Sequence, residues 1–253
     1  DTLPFHEVSF FRSLGGLLIT VGAMLVARIP FQMRYPGLLV WRGVIGWAAL
    51  MSYFLAISSL HVADAVLLNY TSPFFTALLA ALWLGERLTA RTVGCLVGAT
   101  AGVACVVGPQ GGFWHWGTIA ALGSALFAGL AYVAVKRANA SNSPWVIAAG
   151  FSLVATLLTT PFMFWSYRAP SPSEWWLLAG VAALGAIAQL LMTYGYRFAR
   201  ASTGAIITLF TPLIAAVLAI VVFDAHPSWG TWVGAALIVA SGAWLATAPK
   251  PVA

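Results

Sequence analysis

The chain has 253 residues, of which 61% are hydrophobic and 7% charged, and its formal net charge is +6 at pH 7. Soluble globular domains carry about 25% charged residues. This composition excludes a water-soluble domain and predicts an integral membrane protein whose first partner is the lipid bilayer.

Nine apolar runs follow one another along the chain, and the short connections between them leave no room for a soluble domain. Each run is close to the roughly 20 residues that a helix needs to cross the hydrocarbon core, and too long for the strands of a membrane barrel. The sequence predicts an all-α polytopic membrane protein with helices over residues 5–27, 36–60, 62–84, 89–107, 116–135, 144–165, 173–196, 201–222 and 228–246.

The basic residues indicate how these helices are oriented. When connections are assigned alternately to two sides, ten of the twelve Lys and Arg residues fall on one side. Basic connections mark the cytoplasmic side, so we expect a membrane protein with a cytoplasmic C-terminus. The charge excess then reports topology, and no nucleic-acid partner is expected. The ten are Arg28, Arg34, Arg42, Arg87, Arg91, Lys136, Arg137, Arg197, Arg200 and Lys250.

Nine helices and an inner C-terminus would leave the N-terminus outside. The chain begins with Asp1 rather than methionine. We expect a ten-helix parent protein in which one helix precedes Asp1; the alternative is a nine-helix protein with a translocated N-terminus.

An internal repeat divides the chain into two halves, residues 1–110 and 111–253. Aligning Pro73 with Pro212 also aligns Gly94 with Gly234 and Gly102 with Gly242, after one inserted residue. In a ten-helix parent the halves would hold helices 2–5 and 6–10 and form an inverted repeat. This pattern is typical of secondary transporters, with a broken helix in each half and a site between the halves at mid-depth.

Three stretches carry a family resemblance: residues 10–18 (FFRSLGGLL), residues 70–73 (YTSP) and residues 84–98 (LGERLTARTVGCLVG). With them the whole chain resembles drug/metabolite transporters of the EamA type. Where that family often repeats a glutamate in its second half, this chain has Asp224 and Ala225. The resemblance implies export of small metabolites, commonly amino acids, across an inner membrane. Among members of this compact form, the chain is similar to bacterial aromatic amino acid exporters.

Polar residues inside the apolar runs are the candidates for substrate binding. A proline within a helix removes one backbone hydrogen bond, so Pro73 and Pro212 predict breaks beside the polar side chains of Asn69, Tyr70 and Thr208. The breaks indicate cavity walls or, alternatively, kinked packing helices. Further candidates could bind a solute with amino, carboxylate and apolar parts, or make ordinary interhelical hydrogen bonds. They are Gln189, Thr193, Tyr196, Trp47, Tyr53, Ser124 and Tyr132.

Two charged positions allow more than one role. Arg12, inside the first run, could bind a substrate carboxylate, pair with Glu7 or extend to the headgroups. Glu86 stands beside Arg87 and Arg91, which suggests an interfacial salt bridge, or a gate that opens during transport.

Glycine recurs at every fourth position over Gly94, Gly98 and Gly102, which lets a second helix approach closely. That helix could belong to the same chain or to a partner in a homodimer.

Other functional classes lack their sequence signatures. The chain has no HExxH, GxSxG or Walker motif and no Cys/His ligand spacing, so we expect no enzyme activity, metal or cofactor. No ring of like charges indicates a channel filter. The paired mid-helix prolines disfavour a scaffold or receptor. The sequence therefore favours the hypothesis of a carrier of small molecules.

Overall fold

The computed structural model describes residues 3–108, 116–165, 167–223, 226 and 228–247. These residues form eleven α-helices, and no strand occurs among them. Asp224, Ala225 and Lys250 lie outside the described residues. The helices are α1 (Phe5–Val26), α2 (Pro36–Ser59), α3 (Val62–Asn69), α4 (Ser72–Leu84), α5 (Ala90–Val107), α6 (Trp116–Ala138), α7 (Pro144–Trp165), α8 (Pro172–Phe198), α9 (Ala201–Thr208), α10 (Thr211–Phe223) and α11 (Trp229–Ala246).

Nine candidate membrane spans are found in the described part of the chain, as predicted. The pairs α3–α4 and α9–α10 each count as one span, because each is a single apolar stretch interrupted for two residues. The all-helical membrane fold expected from the composition is therefore confirmed.

Local sequence sets where several helices begin and end. Ser171 caps α8 in a capping box with Glu174, and Pro172 follows at the first helical position, where its missing N–H costs nothing. Thr89 and Ser228 cap α5 and α11 with their hydroxyls, which accept hydrogen bonds from the backbone N–H groups of Thr92 and Thr231. At the end of α4, Gly85 adopts a φ of 67°, the left-handed conformation that glycine tolerates best.

The two interrupted helices are broken at the predicted prolines. Pro73 and Pro212 are each the second residue of the later segment, α4 and α10, so neither ring blocks a helical hydrogen bond. Hydroxyl groups satisfy part of the freed backbone: Thr71 Oγ1 donates to the Leu68 carbonyl at 2.7 Å, and Thr208 Oγ1 donates to the Ala205 carbonyl at 2.6 Å. Such breaks are tolerated in a membrane only where protein or a cavity replaces water.

The first part of the chain, helices α1 to α5, packs mainly against the second part, helices α6 to α11. In the first part, α1 packs on α7 and α8, α2 on α6 and α7, and α5 on α11, while α4 contacts α6 and α9. This arrangement leaves an open cavity between α1, α2 and α3 on one side and α6, α7 and α8 on the other.

The glycine face of α5 is covered by α11 of the same chain. A Cβ added at Gly102 would lie 2.7 Å from the Gly234 carbonyl oxygen and 2.8 Å from Ile238 Cγ1. One at Gly98 would lie 2.7 Å from Ser241 Oγ. These glycines therefore serve close packing within the chain, and a homodimer would need another surface.

Gly102→Ala should destabilise the protein by about 1–3 kcal/mol, because the added methyl group meets the rigid backbone of α11. Gly123→Ala is the matched control, since a Cβ there has nothing within 4 Å. Thermal unfolding of the purified variants in detergent measures both. An unchanged melting temperature for Gly102→Ala would contradict the packing described.

Candidate substrate site

A cavity of about 170 Å³ lies between the two parts of the chain. Its α2 wall consists of Arg42, Gly46, Ala49, Leu50 and Tyr53, whose spacing places them on one helical face. The other lining residues are Arg12 of α1, Asn69 of α3, Ala128, Ala131 and Tyr132 of α6, Phe151 of α7, and Gln189 and Met192 of α8.

Arg42 is the most buried cation of this cavity, with its side chain 3% exposed. Its Cζ lies 4.3 Å from the centroid of the Phe151 ring, a cation–π contact. Nε and Nη1 are buried without a hydrogen-bond partner among the described residues. Gly46 leaves the necessary space, because a Cβ there would clash with Nη1 of Arg42.

Arg12 reaches the same cavity from α1. It lies seven residues after Phe5, about 10 Å along the helix axis. Its side chain crosses α8 at Gly185, where an added Cβ would lie 3.1 Å from Nε. The predicted ion pair with Glu7 is not formed, because Glu7 Oε1 accepts a hydrogen bond from the Arg168 backbone N–H at 2.5 Å instead.

Two amide side chains add polar groups to the lining. Asn69, the last residue of α3, donates from Nδ2 to Ser124 Oγ at 2.8 Å, and Ser124 in turn donates to the Ala121 carbonyl. Ser124 is fully buried, so it holds the Asn69 amide in place without lining the cavity. Gln189 Nε2 is buried with no partner.

Five of the predicted substrate contacts are thus brought together: Arg12, Tyr53, Asn69, Tyr132 and Gln189. Tyr196 and Thr193 lie behind this wall. The Tyr196 ring stacks on Tyr132 with centroids 5.4 Å apart, and the Thr193 hydroxyl donates to the Gln189 backbone carbonyl.

Trp47 points away from the cavity. Its Nε1 donates to Thr159 Oγ1 of α7 at 3.1 Å. Six residues separate Trp47 from Tyr53, which is about 240° around a helix, so the two cannot share one face.

The breaks themselves lie outside the lining. Tyr70 packs against apolar residues of α5 and α9–α10, and among the described residues α9 and α10 contribute none to this cavity. Pro73, Thr208 and Pro212 are accordingly placed beside the cavity rather than in its wall.

The position of Arg42 differs from the one assigned from charge. It was counted with the basic residues of the inner connections, but it is an internal residue of α2, six residues after Pro36. The signal that could have identified it is the helical spacing of Arg42, Gly46, Ala49 and Tyr53, which combines a cation, small residues and a tyrosine on one face.

Glu86 joins the two parts of the chain. Oε1 accepts from the Ala201 N–H at 2.6 Å, and Oε2 accepts from the N–H and the hydroxyl of Ser202 at 3.1 and 2.7 Å. The carboxylate thus caps the N-terminus of α9, where the helix dipole favours negative charge. In the part of the chain described, neither Arg87 nor Arg91 forms the expected salt bridge with it.

Larger cavities lie away from this site, one of them about 750 Å³ and lined by Tyr35, Gly37, Leu38, Arg137, Ala140 and Ser141. An apolar groove of about 490 Å³ runs between α1 and α7, lined by residues such as Leu17, Val21 and Leu153. No group of three or more His, Cys, Asp or Glu side chains that could hold a metal ion is found among the described residues.

Comparison with known proteins places these observations in a family. The model of the EamA-like transporter family matches residues 1–108 and 115–247. The pseudopaline exporter CntI of Pseudomonas aeruginosa is 32% identical over 252 residues, which are 98% of this chain and 85% of that protein. The riboflavin transporter of Brucella anthropi is 28% identical over 254 residues, covering 96% and 88%.

Two further similarities, at lower sequence identity, also extend over most of the chain. Human solute carrier family 35 member G1 is 26% identical over 255 residues, which are 93% of this chain and 69% of that protein. A crystal structure of another protein superposes with a TM-score of 0.82 at 25% identity, over 98% of this chain and 90% of that one. The family resemblance of the sequence is confirmed, while the nearness to aromatic amino acid exporters stays a prediction.

Glu86→Ala should expose the N-terminus of α9 and cost about 1–2 kcal/mol, the usual range for a lost cap. Hydrogen exchange of the Ala201 and Ser202 amides should speed up, and Glu86→Gln should show a smaller effect because one amide oxygen still accepts. Arg87→Gln is the control and should leave these amides protected. If it accelerated their exchange as much as Glu86→Ala, the carboxylate would act through an ion pair instead.

Proposed function

The chain belongs to the EamA-like transporter family and is a membrane transporter of small metabolites, and we propose that it exports carboxylate-bearing metabolites, amino acids among them, by alternating access. The observation that carries this proposal is the cavity between the two parts of the chain, whose lining includes the two cations Arg12 and Arg42. Guanidinium forks match carboxylates in shape and charge.

The rest of the lining suits a solute with an apolar body. Tyr53, Tyr132, Phe151 and Met192 present aromatic and thioether surface, while Asn69 and Gln189 offer amide donors and acceptors. This mixture of mostly apolar walls and a few convergent polar groups is typical of small-molecule sites. It supports aromatic or other apolar amino acids as the first compounds to test, with other metabolites or drugs as the alternative.

The internal repeat offers a route for alternating access. If the halves 1–110 and 111–253 are an inverted repeat, exchanging their conformations would convert an inward-open state into an outward-open one of similar energy. The helices broken at Pro73 and Pro212 would supply the flexible segments. Glu86, which bonds α4 to α9, would open and close with this exchange.

We expect counterflow to show carrier activity. The full-length protein in proteoliposomes should take up labelled phenylalanine faster when unlabelled substrate is loaded inside, and this stimulation should saturate. Asn69→Ala should lower the rate about tenfold, because the amide that Ser124 positions is lost. Ser58→Ala is the control, since its exposed hydroxyl bonds only the Leu55 carbonyl of its own helix. Uptake without trans-stimulation would indicate a channel, and no exchange with any amino acid would remove this class of substrate.

The proposed orientation has its own test in a variant lacking Cys95 and Cys105. A single cysteine at Ala169, which is exposed, should react with a membrane-impermeant maleimide on intact bacterial cells, because the proposed orientation puts the connection before α8 outside. A single cysteine at the exposed Ala140 should react only after the cells are permeabilised. The reverse pattern would invert the orientation.

A further inference from the structure

We infer that the natural substrate of this cavity is an organic dianion, a molecule whose two anionic groups bind Arg12 and Arg42 together. The inference rests on the proposed function and narrows it: among carboxylate-bearing metabolites it favours compounds with two negative charges over neutral amino acids such as phenylalanine. Its basis is the imbalance of charge in the lining, which contains two guanidinium groups and no acidic side chain among the described residues.

Arg42 is held ready to bind a charge that the protein does not supply. A buried cation is ordinarily paired and hydrogen-bonded, because removing it from water is costly. In the part of the chain that the structure describes, two of its three guanidinium nitrogens, Nε and Nη1, are buried without a partner, and the Phe151 ring covers one face of the group. Gly46 makes room for Nη1, with which an added Cβ would clash. The stacking on Phe151 holds the guanidinium without neutralising its charge.

Arg12 adds a second positive charge close to the first. Arg12, Arg42 and Tyr132 line the same cavity, and the like charges of the two guanidinium groups repel each other. Among the described residues Arg12 makes no ion pair and no side-chain hydrogen bond. A single carboxylate would neutralise one of these charges, whereas a dianion balances both.

The acidic residues of the described chain are in other places. Glu7 bonds the backbone of Arg168, Glu86 caps α9, Glu174 caps α8, and Asp64 lies near the start of α3. The ammonium group of a neutral amino acid would therefore meet two cations and no carboxylate. Dicarboxylates avoid this repulsion, and phosphate monoesters share the same chemistry.

The test measures binding to the purified full-length protein by calorimetry with matched probes. Glutarate is compared with its neutral analogue glutaramide, glycerol 3-phosphate with glycerol, and both dianions with phenylalanine. We expect at least one dianion to bind and its neutral analogue to bind at least tenfold more weakly. Stronger binding of glycerol 3-phosphate than of glutarate would identify phosphate as the source of the charge and still support a dianion site.

Arg12→Gln and Arg42→Gln should each weaken dianion binding about ten- to a hundredfold, as expected for losing a charged hydrogen-bonding partner. Gly185→Ala is a second variant that keeps both charges but crowds Arg12 Nε, and it should weaken binding less. Ser58→Ala should bind like the wild type. Size-exclusion profiles show whether each variant is folded. If an arginine variant does not fold, Gly185→Ala still tests the role of Arg12.

Three results would overturn the inference: phenylalanine binding as tightly as any dianion, unchanged dianion affinity in folded arginine variants, or no dianion binding at all. Counterflow separates these from a failure of the proposed function. Phenylalanine exchange that persists in Arg42→Gln would keep the carrier and reject the dianion. Dianion binding without counterflow of any compound would keep the site and reject the carrier.

Discussion

Burial of uncompensated positive charge is the constraint on which the site depends. A guanidinium in a low-dielectric interior loses much of its hydration, and its ion-pair partner normally restores that energy. Arg42 has only the face of Phe151 and the space left by Gly46. The packing of α2 against α6 and α7 must offset this cost when the cavity is empty, so the surrounding helices stabilise a site that is incomplete without its ligand.

A second constraint acts on the backbone. Breaking a helix inside a membrane leaves backbone groups without partners, and side-chain hydroxyls satisfy some of them at the two breaks, while a carboxylate caps the start of α9. Thr71 and Thr208 cover carbonyls at the two breaks, while Glu86 covers the amides at the start of α9. The two hydroxyl bonds span three residues each, whereas the Glu86 bonds join positions more than a hundred residues apart.

The fold could be predicted far better than the site. Apolar length fixes nine spans because lipid demands continuous helices, and the prolines fix the two breaks because a proline inside a helix leaves one backbone hydrogen bond unmade. Helical spacing alone shows that Tyr53 and Trp47 lie on different faces of α2. Which of the two faces lines the cavity depends on the helices packed around α2, which spacing does not reveal. Arg42 was assigned to an inner connection because its distance from the start of α2 suits both an interfacial and a buried position.

Some contacts had no local signal at all. The carboxylate of Glu86 is adjacent to two arginines in sequence yet bonds residues more than a hundred positions away. An exposed ion pair contributes little, whereas unpaired helix-terminal amides in a membrane need an acceptor, so the cap prevails. Glu7 illustrates the same point, since it bonds the backbone at Arg168 rather than the nearby Arg12.

The central claim is that substrate binds between Arg12 and Arg42. The most direct measurement is a cryo-electron microscopy structure of the full-length protein saturated with the compound that gives the strongest counterflow. We expect ligand density that contacts both guanidinium groups, with Asn69 or Gln189 at its edge. Ligand density in the apolar groove between α1 and α7, with the central cavity empty, would contradict it.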